Sequence, residues 1–149
     1  MISYFDLFEI EINIIIDSKL LESKYLIKLN QLYDDSEACL IINQAYNVLS
    51  NDIMRIEHII QLLEDKFNIK IFNLNQNNQV LFEKYFNLNE EIENNNKEQN
   101  KIIYIEYSKY YKDILFNMQR SISLEDFNTL YVLFIELKLI TNILDLTIN

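Results

Sequence analysis

The residues able to carry chemistry are few in this sequence, and they stand apart. The lone histidine, His58, lies in the run Ile56-Glu57-His58-Ile59-Ile60, and the lone cysteine, Cys39, lies among Ala38, Leu40 and Ile41. A zinc site needs three or four converging Cys, His or carboxylate ligands, and a disulfide framework needs paired cysteines. A nucleophilic enzyme needs a Ser, Cys or Lys beside a base, and no such motif accompanies His58. His58 is therefore expected to be a partly buried helix residue, and Cys39 a small buried hydrophobe. No catalytic residue, metal ligand or cofactor is expected, and the chain reads as a non-enzyme.

Surfaces remain as candidates. Tyr104, Tyr107, Tyr110 and Tyr111 could stack bases, but single-strand binding needs a positive groove, and the formal charge is -10. Nucleic acid is not expected as a partner, and helix packing accounts better for these tyrosines. Glu90, Glu91, Glu93 and Glu98 form an acidic run that could meet a basic patch or simply be solvated. Lys19, Lys24 and Lys28 make a small basic edge in an acidic protein. Leu81, Phe82, Tyr85 and Phe86 form an aromatic stripe that could be bundle core or a set of interface anchors.

The elements that position these residues are helical. In 149 residues there is no glycine and no proline, which removes the positive-φ turns of hairpin-rich sheets and the glycine loops that cradle phosphate. Half the residues are hydrophobic, enough for one or two small cores. No run approaches the roughly 20 apolar residues that cross a bilayer, and the N-terminus lacks the basic start of a signal peptide. No membrane partner is expected. The richness in Ile, Asn, Lys and Tyr reads as the drift of an AT-rich genome, with a cytoplasmic bacterial setting expected ahead of a mitochondrial one.

Periodicity gives the order of elements. Tyr4 to Phe8 is a turn or two of helix, and Ile10 to Ile16 is an extended connection ending at Asp17, an N-cap. The following helix carries Leu21, Tyr25, Leu29 and Leu32 inward, with Lys24 and Lys28 on another face. Asp34, Asp35 and Ser36 break it and cap a helix from about Glu37 to Leu49, expected to bury Leu40, Ile41, Ala45, Val48 and Leu49. Ile53, Ile56, Ile59, Ile60 and Leu63 mark the next helix. Residues 66–78 read as a linker. Beyond it, a helix with Leu81, Phe82, Tyr85, Phe86, Leu88 and Ile92 ends at Asn94 to Asn96. Two long helices follow. One buries Ile103, Tyr107, Tyr110, Ile114 and Met118; the other starts at Ser123 as N-cap and buries Phe127, Leu130, Phe134, Leu137 and Leu144. Without glycine, Asn51, Asn68 and Asn78 are expected to take the left-handed C-cap conformation.

Several blocks resemble a family. Tyr4-Phe5-Asp6-Leu7-Phe8-Glu9-Ile10, Asp17 followed by Leu20-Leu21-Glu22-Ser23-Lys24-Tyr25, and above all Asn43-Gln44-Ala45-Tyr46 with Met54-Arg55 look like the HscB co-chaperone family. Glu90-Glu91-Ile92-Glu93 and Phe134-Ile135-Glu136-Leu137 extend the likeness over nearly the whole chain. The resemblance implies an all-α protein with a short J-domain-like unit over residues 1–65 and a C-terminal three-helix bundle over 79–149, joined in an L shape. It implies a partner for each part. An IscU-like iron–sulfur scaffold would be held through Leu81, Phe82, Phe86, Glu90 and Phe134. A DnaK-type, HscA-like chaperone ATPase would be met through Lys24, Lys28, Asp34 and Asp35. The sequence departs from the family at one place. The His-Pro-Asp tripeptide that triggers the ATPase is missing, and the loop reads Gln31-Leu32-Tyr33-Asp34-Asp35-Ser36, with Asp35 matching the tripeptide's acid. Weakened or lost ATPase stimulation follows. The alternative reading is a helical interaction or structural module with no iron–sulfur role.

Overall fold

The computed structural model describes residues 1–73 and 78–148, and among them every regular element is helical. The chain divides into two compact units, Met1–Lys70 and Ile71–Asn149.

The first unit holds α1 (Tyr4–Leu7), α2 (Ser18–Leu32), α3 (Ser36–Ser50) and α4 (Asp52–Phe67). Its helix starts follow from side-chain caps. Asp17 accepts the amides of Lys19 and Leu20, Asp35 that of Ala38, and Asn51 that of Met54, each satisfying a donor that the first turn leaves unpaired. The central helix is α3, which packs against α1, α2 and α4. Phe5, Phe8, Ile14, Leu21, Ile42, Ala45, Leu49, Ile56, Ile59 and Ile60 form the core. Tyr25 stacks on Tyr46 at 4.1 Å between ring centres, which ties α2 to α3.

The expectations for α3 fail at Leu40 and Ile41, and Val48 is only half-buried. Leu40 and Ile41 are 69% and 50% exposed, and Ile42 takes the core position. The run Ala38 to Ile42 is apolar on every side, so the pattern alone cannot say which residue faces inward; the packing of α3 on its three neighbours decides it.

The second unit holds a 3-10 turn (Ile71–Asn73), α5 (Gln79–Asn94), α6 (Lys97–Ser123) and α7 (Phe127–Ile148). Here α7 is central, packing against α5, α6 and the 3-10 turn. The span 66–78 is thus not one irregular linker. Lys66 and Phe67 belong to α4, Ile71 is buried and Phe72 packs edge-on to Phe134, while residues 74–77 lie outside the described residues. Asn96 caps α6 in a reciprocal box with Gln99. The cap of α7 is Asp126, whose carboxylate accepts from the Thr129 amide and hydroxyl. Ser123, the expected cap, is the last residue of α6 and donates to the Gln119 carbonyl. Phe127 and Leu144 are half-buried rather than core.

Three helices end without glycine in the left-handed conformation that glycine usually supplies. Glu9 (φ 54°), Asn68 (φ 51°) and Glu125 (φ 54°) take it. In each case the amide of the next residue reaches back five positions, Ile10 to Phe5, Ile69 to Glu64 and Asp126 to Ser121, closing a Schellman motif. Asn68 behaves as the sequence suggests. Asn51 and Asn78 have φ of -103° and -98°, Asn51 because it caps the start of α4 instead.

Candidate protein-docking site

The α5 surface carries the feature with the least structural explanation. Tyr85 and Ile92 point into the bundle, and Leu81 is half-buried at its margin. Phe82 and Phe86, one turn apart, are 49% and 62% exposed, and Glu90 continues the same row in solvent. Large exposed aromatic side chains four residues apart, flanked by acids, have the make-up of interface anchors. Phe134 does not join them. It is 1% exposed, edge-on to Phe72 at 6.2 Å, with Lys138 Nζ 4.4 Å over its ring, and so belongs to the core of the unit rather than to a docking surface. Its spacing from Leu130 and Leu137 along α7 is the reason: all three lie on the helix face that α5 and α6 cover.

Beneath this surface lies a polar cluster that the sequence did not disclose. Glu136, buried on α7, accepts from the Tyr85 hydroxyl at 2.7 Å and the Tyr110 hydroxyl at 3.1 Å, and Lys84 Nζ stands 3.9 Å away. Lys84 also lies over the rings of Tyr85 and Tyr110. A buried carboxylate is tolerated when hydrogen bonds replace its water. Burial, and then the bond to Glu136, push the Tyr85 phenol far above its ordinary range. Burial and the Glu136 charge push Tyr110 up to about 12. Burial, followed by the charge of Glu106, raises Tyr107 as well. The cluster pins the register of the three bundle helices and thereby the direction in which Phe82 and Phe86 project.

In the first unit, Lys24 and Lys28 are half-buried along α2, and among the described residues neither forms an ion pair. The turn that follows is only Tyr33, Asp34 and Asp35, since α2 ends at Leu32 and α3 begins at Ser36. Asp34 is exposed. The Asp35 carboxylate is engaged as the α3 cap and its amide bonds the Leu32 carbonyl at 2.9 Å, so it closes the turn and does not project from it. Cys39 donates its thiol to the Leu32 carbonyl at 3.0 Å across the same turn.

Two residues of α4 hold the first unit together. Arg55 is buried and donates to the Ile14 carbonyl from Nε and Nη2, to the Leu49 carbonyl from Nη1, and to Asp52 at 2.6 Å. It thus clamps the extended segment and the end of α3 to α4. His58 accepts the Tyr4 amide on Nε2 at 3.1 Å and stacks on the Tyr4 ring at 4.5 Å. An accepting Nε2 requires the neutral ring, and burial pushes its pKa below the ordinary 6.5. The sequence pattern placed Arg55 and Glu136 only within matched blocks. Their partners lie up to 41 and 51 residues away, beyond the reach of local periodicity.

No helix among the described residues is long and apolar enough to cross a membrane, and no group of His, Cys, Asp or Glu among them is arranged to hold a metal ion.

The fold has a known counterpart. The chaperone HscB from Vibrio cholerae matches with a TM-score of 0.77 over 98% of this chain and 95% of that one, at 17% sequence identity. The chain therefore has the HscB-like, all-helical fold. No protein-family model and no curated protein sequence matches it.

Proposed function

We propose that this chain is a co-chaperone-like adaptor in iron–sulfur cluster biogenesis, not an enzyme. In this reading it holds an IscU-type scaffold on the α5 face through Phe82, Phe86, Leu81 and Glu90. The cluster is cargo of the scaffold, and this chain needs no ligand for it. The observation that carries the reading is the exposed Phe82–Phe86 row on an HscB-like fold, because these side chains have no role in the bundle core.

The second half of the job is presentation to a DnaK-type, HscA-like ATPase through Lys24 and Lys28 on α2. Stimulation is weakened or lost. The turn after α2 has three residues, neither His nor Pro is among them, and Asp35 is committed to capping α3. Asp34, exposed beside it, is the remaining acid for a chaperone contact.

Titrating the chain into an HscA-like ATPase with scaffold present, alongside a scaffold-binding isotherm, tests the reading. Scaffold binding with little or no rise in ATP hydrolysis is the expected result. Full stimulation would overturn the account of the shortened turn, and absence of scaffold binding would overturn the adaptor role itself.

A further inference from the structure

The first unit carries a half-open groove of about 700 Å³ that none of the surfaces above uses. It is bounded by Tyr4 and Leu7 of α1, Ile41 and Val48 of α3, and Met54 of α4, with the Glu57 carboxylate on its wall. This volume lies within the range of built ligand and peptide sites, roughly 300–1,000 Å³.

The lining accounts for residues that the fold leaves unexplained. Ile41 and Met54 are both about half exposed although neither contributes to the core. Phe5 of α1 and Phe8, which caps its end, are fully buried, whereas Tyr4 and Leu7 turn to the groove, and the Tyr4 amide is anchored on His58, which also lines it. A four-residue helix is thus fixed so that its outer face extends an apolar trough. Methionine and isoleucine at the lips give an adaptable apolar contact of the kind that receives the anchors of an amphipathic helix.

Charge selects the occupant. Glu57 is the charged side chain that lines the groove, and it has no described partner. Residues 1–70 hold twelve Asp and Glu against six Lys and Arg, so the field around the groove attracts cations and repels a second copy of this acidic chain.

We infer that this groove docks an amphipathic helix of a partner protein, its apolar anchors between α1, α3 and α4 and one Lys or Arg paired with Glu57. The groove is lined by first-unit residues alone, and none of them is Lys24 or Lys28 of the basic edge of α2.

The test uses the full chain and a fluorescein-labelled helical peptide of about 16 residues, with Leu in an i, i+4, i+7 register and one Arg beside that seam. Fluorescence anisotropy should report a Kd below about 50 μM. Ile41→Asp, at an exposed position that leaves the core intact, should weaken binding more than about tenfold. Glu57→Lys should weaken it about fivefold at low salt, and a peptide with Glu in place of Arg should recover that loss. A circular-dichroism spectrum confirms that each variant is folded. Absence of binding, or binding that Ile41→Asp leaves unchanged, would overturn the inference. So would concentration-dependent self-association in sedimentation velocity that Ile41→Asp abolishes, because the occupant would then be a second copy.

Discussion

Replacing Arg55 tests whether the first unit is held by backbone carbonyls or by an ion pair. The guanidinium spends three of its bonds on the Ile14 and Leu49 carbonyls, at 3.0, 2.8 and 2.8 Å, and the fourth on Asp52, whose side chain is 37% exposed. Charge-assisted bonds contribute about 1.5–3 kcal/mol each before non-additivity, and removing one partner of a buried network typically costs about 3–5 kcal/mol. Arg55→Ala takes the guanidinium donors away from the Ile14 and Leu49 carbonyls and leaves a cavity where the side chain lay, so a loss of about 3–5 kcal/mol is expected. Asp52→Asn weakens a partly solvated i,i+3 charge interaction and keeps an oxygen acceptor, so a loss below about 1 kcal/mol is expected. Urea denaturation followed by circular dichroism gives both values, and amide exchange localises the Arg55 effect to residues 1–70. Equal losses in the two variants, or less than about 1 kcal/mol for Arg55→Ala, would refute the carbonyl-clamp reasoning.

Acid should loosen α1 through His58. Its pKa is depressed in the folded chain, so the unfolded chain binds the proton first, and the His58 contribution to stability, full above pH 6.5, falls as pH drops through the depressed value. Urea midpoints at pH 7.5 and 5.5 should therefore move further in the wild-type chain than in His58→Gln. At high pH the sign reverses: the phenols of Tyr85 and Tyr110 stay protonated in the bundle while the unfolded chain ionises near pH 10, so stability falls as pH rises from there towards about 12. Tyr85→Phe should cost about 1–3 kcal/mol by leaving Glu136 short of a donor, read by thermal melting. Glu125→Gly should raise stability by about 0.5–1 kcal/mol, since glycine holds the left-handed φ of 54° without the Cβ clash, and an unchanged melting temperature would count against that strain.

The sequence carries the helices well because the starts are written in capping side chains and the cores in spacing. Asp17 and Asp35 announce α2 and α3, and Ile56, Ile59 and Ile60 announce the inner face of α4. It fails where a residue's surroundings come from elsewhere. Ala38 to Ile42 offers five apolar residues in a row, and only packing on α1, α2 and α4 selects Ile42. Asp126 and Ser123 are both good caps; the Schellman closure at Glu125 decides between them by ending α6 after Ser123. Glu136 is an acid between apolar neighbours, Ile135 and Leu137. It is buried because Tyr85 and Tyr110 bring it two hydroxyls from other helices. The α5 stripe was legible only as an alternative between core and surface, and the bundle divides it residue by residue: Tyr85 inward, Phe82 and Phe86 outward.

The most direct test of the adaptor account is the binding isotherm of an IscU-type scaffold with the wild-type chain and with the double variant Phe82→Ala, Phe86→Ala. Both side chains are exposed, so the variant should keep its melting temperature within a few degrees while losing scaffold affinity by more than about tenfold. Scaffold affinity unchanged in a folded double variant would contradict the account.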